Sequence, residues 1–186
     1  MLDLIIRNVV LPDGRVGQDI GIKDSRIVEI RPALDIEAAE AIDGGGYLLS
    51  PPFVDSHFHM DSTLSYGRPR VNASGTLLEG IQLWGELKPE LTHADIKDRA
   101  HHLCCWAIAK GNLAIRTHVD ICDPSLMAVE ALLEVRRELR PFMDIQLVAF
   151  PQDGFYRDSQ AEALLLKALD KGVDVVGGIP HFECTM

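Results

Sequence analysis

From residue 91 onward the chain repeats one pattern: an amphipathic run, then a short apolar run that ends in polar side chains. Thr92 predicts the N-cap of a helix running to about Lys110, with Gly111 as its C-cap. A threonine hydroxyl accepts an orphan backbone N–H at one end, and glycine tolerates the left-handed exit at the other. LAIRTHVD, residues 113 to 120, then reads as a strand. Pro124 opens a second helix, whose apolar positions Leu126, Val129, Leu132, Leu133 and Val135 recur at helical spacing. DIQLVAF, residues 144 to 150, is the next strand, Ser159 to Lys171 the next helix, closed by Gly172, and Val173 to Ile179 the next strand. Strands joined by helices pair in parallel, because a parallel connection needs a crossover of a dozen or more residues.

One more strand precedes these, in PPFVDSHFHMD, residues 51 to 61. Side chains at i and i+2 of a strand point the same way, so His57 and His59 form a ready pair of metal ligands. The polar residues cluster where strands end: His57 and His59, His118 and Asp120, Gln152, then His181 and Glu183. A (β/α)8 barrel builds its active site along that edge. A flavodoxin-like open sheet also binds beyond its strand ends. No glycine-rich loop follows the first strand, and Gly177-Gly178 is too little to cradle a phosphate. A full barrel takes about 250 residues. The expected fold class is therefore α/β, the first half (strands 1–4) of a (β/α)8 TIM-type barrel over residues 51–186. A half barrel leaves two sheet edges unpaired, so a scaffold that needs a partner half is a competing reading. His118 and Asp120 share a strand face, and are expected to supply a hydrogen bond that orients a metal-bound histidine.

Residues 1–50 read as a small N-terminal β-unit. Leu4 to Val10 is apolar, Pro12-Asp13-Gly14 is a turn signal, and Asp19–Ile22 and Arg26–Ile30 flank a hairpin loop at Lys23-Asp24-Ser25. The segment at 51 to 61 follows a glycine-rich turn, Asp43 to Gly46, and a short apolar run, Tyr47 to Leu49, as a strand entering a core would. A net charge of −10 and a pI near 5.1 argue against a nucleic-acid partner. No stretch approaches the roughly 20 apolar residues of a membrane helix, so no membrane partner is expected. Asp3, Arg7 and Asn8 break any signal-peptide pattern, and the expected location is cytoplasmic. The cysteines Cys104, Cys105, Cys122 and Cys184 contain no C-x-x-C pair and are read as reduced thiols.

The H-x-E of nucleobase deaminases occurs at His181 and Glu183, but without the later P-C-x-x-C it is set aside. Several segments instead resemble another family. The short β-unit followed by PPFVDSHFHMD is similar to the amidohydrolase superfamily. Within it, SGTLLEGIQLW (74 to 84), RTHVD (116 to 120), QLVAFPQDG (146 to 154) and DVVGGIPHFE (174 to 183) resemble bacterial cytosine deaminases, in family order. A sister branch, the triazine hydrolases acting on N-alkylammelides, shares the histidine and THVD segments.

The resemblance implies that His57 and His59 hold one catalytic divalent ion, Fe(2+) or Zn(2+). It implies Gln152 as a substrate-binding glutamine and Leu77 as a residue lining the base pocket. The remaining ligands and the proton-shuttling glutamate would lie beyond Met186, so the segment alone should be inactive. The implied partner is a small heterocyclic substrate, and the family's habit is to form homo-oligomers. The implied activity is hydrolytic deamination of cytosine or a close heterocycle, with triazine amidohydrolysis as the alternative.

Overall fold

The computed structural model describes residues 1–183. The chain divides into two compact units, one spanning Met1–Pro51 and one beginning at Pro52.

The first unit is a four-stranded sheet built from β1 (Leu2–Val9), β2 (Gln18–Lys23), β3 (Arg26–Arg31) and β4 (Ala38–Asp43), in the order β3-β2-β1-β4. The hairpin expected at Lys23-Asp24-Ser25 is present, with Asp24 and Ser25 both left-handed at φ 51° and 58°. Two successive positive φ values match the natural right-handed twist of paired strands, which is why short hairpins favour them. Strand β4 escaped the sequence reading: EAAEAID is rich in weak strand formers, and it pairs in parallel with β1. The strand expected within 51 to 61 is present in the second unit as Phe53–Phe58, and the run Tyr47 to Leu49 before it forms no strand of its own. Tyr47 and Leu48 are exposed, and only an isolated bridge links Leu48 to Val10.

Asp19 anchors this unit. Its carboxylate accepts the backbone N–H groups of Asn8 and Leu34 at 2.9 and 3.0 Å and a guanidinium hydrogen bond from Arg7 at 3.0 Å. Burial opposes ionisation, but these donors outweigh it and hold the Asp19 carboxyl below the usual carboxylate range.

The second unit is a parallel sheet in the order β5-β6-β7-β8, made of β5 (Phe53–Phe58), β6 (Asn112–Asp120), β7 (Asp144–Phe150) and β8 (Val175–Val176). Its helices are α1 (Leu77–Leu87), α2 (His93–Ala109), α3 (Met127–Leu139) and α4 (Ala161–Asp170). Thr92 caps α2 by accepting from the Asp95 N–H, and Gly111 leaves at φ 78°. Ile115, Val119, Ile145, Leu147 and Ala149 bury against Leu132, Val135 and Leu165 of the helices. The alternation of strand side chains therefore turns His118 to the opposite face of the sheet.

Two boundaries differ from expectation. Helix α3 starts at Met127 rather than Pro124, because Leu126 adopts a left-handed φ of 54° after a turn closed on Asp123. Strand β8 keeps only two ladder residues of the seven expected. Asp174 spends its carboxylate on the Leu147 N–H, and Gly177 packs where a Cβ would sit 2.7 Å from Val148. Among the described residues no helix is long and apolar enough to cross a membrane. Cys104, Cys105 and Cys122 are free thiols, and Cys184 lies outside the described residues.

Candidate metal centre

The two histidines of the SHFH segment leave β5 at its C-terminal end, where the pairing with β6 slips between Asp55 and Phe58. Such irregularities re-aim side chains, and here one lies beside both imidazoles. The chain then departs from the sheet. The Met60 N–H finds the Thr117 hydroxyl of β6 at 2.9 Å instead of a ladder carbonyl. Arg99, buried on α2, holds the departing loop by donating to the carbonyl oxygens of Asp61 and Thr63 and to the Asp95 carboxylate.

His57, His59 and His118 meet at this edge. One ring nitrogen from each lies within 4.8 Å of the others. The His57 and His118 rings stack with centroids 4.2 Å apart, and His59 stands 5.5 Å from His57 and 5.4 Å from His118. Phe150 of β7 presents its ring edgewise to His59 and His118, giving the cluster an apolar wall. Burial first, then the His118 and His57 imidazoles, bring His59 down to about 4 from its ordinary 6.5. Burial, and then His57, lower His118 as well. Neutral imidazoles are the ligating form. The residues fit a divalent ion: three borderline-soft nitrogen donors, two of them held unprotonated, converge on one point.

His118 was expected to orient a ligand. In the structure its ring stands beside the other two as a third nitrogen donor, with Nδ1 3.4 Å from the Phe58 carbonyl oxygen. A backbone carbonyl at one ring nitrogen leaves the other free to point at a metal. Asp120 corrects the expectation for it. Its carboxylate accepts from Trp84 Nε1 at 2.7 Å, Lys88 Nζ at 3.0 Å and the Cys122 N–H at 2.8 Å, and among the described residues it hydrogen-bonds to no histidine. The Trp84 indole of α1 and the ammonium of Lys88, just past its end, sit at this strand end, and a buried carboxylate takes the strongest donors offered.

Next to the imidazoles lies a cleft of about 340 Å³, and His59, Gln152, Leu77, Trp84, Asp61 and Tyr66 line it. It thus brings together one of the paired histidines and both residues expected to bind substrate. Leu77 is the first residue of α1 and 66% exposed, so it offers its side chain to the cleft rather than to the core. Thr76 caps that helix, and Glu79 in its first turn accepts from Ser74, Ala73 and Arg70. These contacts, Ser74 foremost, hold Glu79 at about 2 and tie the cleft rim to α1. Asp61 is fully buried behind the cleft. Burial, against the N–H donors of Asp120 and Ser62, raises it to about 7.

Sequence reasoning missed Trp84, Lys88 and Asp61. The HMD spacing after the histidine pair was the only cue to Asp61, and nothing marked the lysine at a helix end. Glu183, half of the discarded H-x-E reading, accepts the N–H groups of Phe155 and Tyr156.

A model of the amidohydrolase family matches residues 40–185. Over 187 residues the chain is 37% identical to the N-isopropylammelide isopropyl amidohydrolase of Pseudomonas sp. (strain ADP), covering 95% of this chain and 45% of that protein. The crystal structure of 5-methylcytosine deaminase from Klebsiella pneumoniae, liganded with phosphonocytosine, superposes with a TM-score of 0.90 at 41% identity, over 97% of this chain and 45% of that one. N-isopropylammelide isopropylaminohydrolase from Burkholderia multivorans superposes with a TM-score of 0.79 at 31% identity, over 95% and 45%. The chain spans less than half the length of these relatives, and its parallel sheet matches the N-terminal part of their barrel. With the family model covering both the histidine pair and the strands behind it, the chain belongs to the amidohydrolase family.

Proposed function

We propose that this chain supplies the metal-holding first half of an aminohydrolase that removes ammonia from cytosine or a close heterocycle. The observation that carries the reading is the convergence of His57, His59 and His118 beside a cleft that His59, Gln152 and Leu77 line. The 41% identity to a deaminase liganded with a cytosine analogue supports the substrate class.

Three imidazoles would hold the ion, which when bound lowers the pKa of water to about 7 and so supplies hydroxide at neutral pH. The chain's own residues do the rest of the positioning. The glutamine amide has one donor and one acceptor, complementary to the carbonyl and ring nitrogen of a pyrimidine. Gln152 would hold the ring so that the amine-bearing carbon faces the imidazoles. Leu77 and Trp84 would cover the ring with apolar surface and exclude water. Phe150 limits access to His59 and His118, which keeps them neutral. The proton for departing ammonia would come from a carboxyl group elsewhere in the complete protein, so the 186-residue segment alone should be inactive. The metal would be iron or zinc, and the complete protein a cytoplasmic homo-oligomer.

A second reading changes the leaving group. The 37% identity to an N-isopropylammelide amidohydrolase favours a triazine carrying an alkylamine. The test is direct. The full-length protein, loaded with iron or zinc, is offered cytosine, 5-methylcytosine and N-isopropylammelide. Ammonia from the pyrimidines supports the first reading, isopropylamine from the triazine supports the second, and release of neither defeats both.

A further inference from the structure

Lys88 lies between two carboxylates that belong to two different strand ends. Its Nζ is 3.0 Å from Asp120, the last residue of β6, and 2.7 Å from Asp153 on the loop after β7. Lys88 is also where α1 stops: its N–H returns to the Trp84 carbonyl, and Pro89 follows. Side-chain exposures of 21% for Lys88 and 4% for Asp120 set this ion pair apart from an ordinary surface bridge. Burial would discharge the amine, but Asp120 and Asp153 outweigh it and hold Lys88 above the usual lysine range. Trp84 donates to the same Asp120 carboxylate, and the Asp120 N–H donates to Asp61. One ammonium therefore connects the helix lining the cleft, the strand bearing His118 and the loop bearing Gln152.

Glu183 holds the loop further on, by accepting the Phe155 and Tyr156 N–H groups, and Pro151 and Gly154 are buried, so the stretch left to tether is Gln152-Asp153. Among the described residues the Asp153 N–H reaches the Cys122 sulfur at 3.4 Å, a weak acceptor. Gln152 and Gly154 bond within the turn, to Phe150 and Pro151. Without the ammonium, Asp120 and Asp153 would face each other as uncompensated charges, and the less buried one would move. Asp153 is 48% exposed and directly follows Gln152.

We infer that Lys88 is a positioning residue for substrate, fixing Gln152 over the cleft through Asp153. The inference rests on the reading of the cleft as a heterocycle site. Substrate affinity, not metal holding, is what it controls, because among the described residues its ion pairs are to Asp120 and Asp153 and not to an imidazole.

The test uses the full-length, metal-loaded enzyme with Lys88→Met, Lys88→Arg, Asp153→Asn and Gln152→Ala variants. Lys88→Met should raise KM for cytosine about tenfold with kcat within about threefold and metal content unchanged, and Lys88→Arg should restore most of the loss. Asp153→Asn removes only the partly exposed arm, so it carries the test if Lys88→Met does not fold, and it should shift KM the same way. Lys88→Met in the Gln152→Ala background should add little, as coupled residues do. Amide exchange at residues 152–154 should quicken about tenfold in Lys88→Met and Asp153→Asn. An unchanged KM, full additivity with Gln152→Ala, or unchanged exchange would overturn the inference. If wild-type enzyme releases no ammonia from cytosine, the functional reading has failed, and the exchange experiment decides the positioning role by itself.

Discussion

The imidazoles of His57 and His118 stack face to face 4.2 Å apart, although 61 positions separate them in sequence (118 − 57). Adjacent parallel strands are what bring them together. With His59 they form a three-nitrogen cluster, and each ring should matter to metal holding. His59→Ala and His118→Asn in the full-length protein should each weaken Zn(2+) binding by about tenfold or more. Competition dialysis against a chelator measures it. Unchanged affinity in His118→Asn would remove that ring from the ligand set.

Acid should act on the metal-free protein through His59. Its folded pKa is about 4 against an ordinary 6.5, so between those values the unfolded chain binds a proton that the folded chain does not. Stability from His59 is therefore present above about pH 6.5 and lost as pH falls towards 4. Asp61 acts oppositely: raised to about 7, it keeps its proton in the folded state and favours folding as pH falls below 7. A His59→Asn variant isolates the first effect. Its stability relative to wild type should rise between pH 7.5 and pH 4.5, read from urea midpoints. A constant difference would contradict the buried, neutral imidazole.

Asp19 should be the acid-sensitive point of the N-terminal unit. Its folded pKa is depressed, so its contribution is present above the ordinary carboxylate value and is lost as pH falls through the folded one. Asp19→Asn turns one acceptor into a donor facing the Asn8 or Leu34 amide, at a cost of about 1–3 kcal/mol. Proteolysis of residues 1–50 compared with wild type would report it, and equal resistance would count against this anchor.

Leu132 on α3 is fully buried against the sheet, and Leu133 beside it is half-buried. Leu132→Ala should cost about 2–5 kcal/mol, because the lost methyl groups leave a cavity that helix and sheet cannot close. Leu133→Ala should cost less. Chemical denaturation of the full-length protein compares the two, and equal losses would mean that α3 packs on a different face.

What the sequence made legible follows from what is local. The ends of β6 and β7 were readable because apolar runs stop at polar residues, and the cap of α2 because Thr92 has a local partner in Asp95. Gln152 and Leu77 could be nominated only by resemblance, and they do share a cleft with His59. The start of α3 was misjudged because Pro124 suits a first turn, whereas the left-handed Leu126 interrupts it. The partners of Asp120 were hidden for a different reason. Trp84 and Lys88 lie 36 and 32 positions before it (120 − 84 and 120 − 88), and only the packing of α1 on the strand ends makes them neighbours.

The bond from the Met60 N–H to the Thr117 hydroxyl has a wider consequence. The direction in which the chain leaves the sheet after His59 is written partly into the neighbouring strand, with Asp61 and Arg99 fixing the first residues that follow. Only beyond Thr63 can the chain be recut in length or chemistry to admit a different ring, while the floor beneath it keeps its shape. A fold organised this way separates what it recognises from what it does.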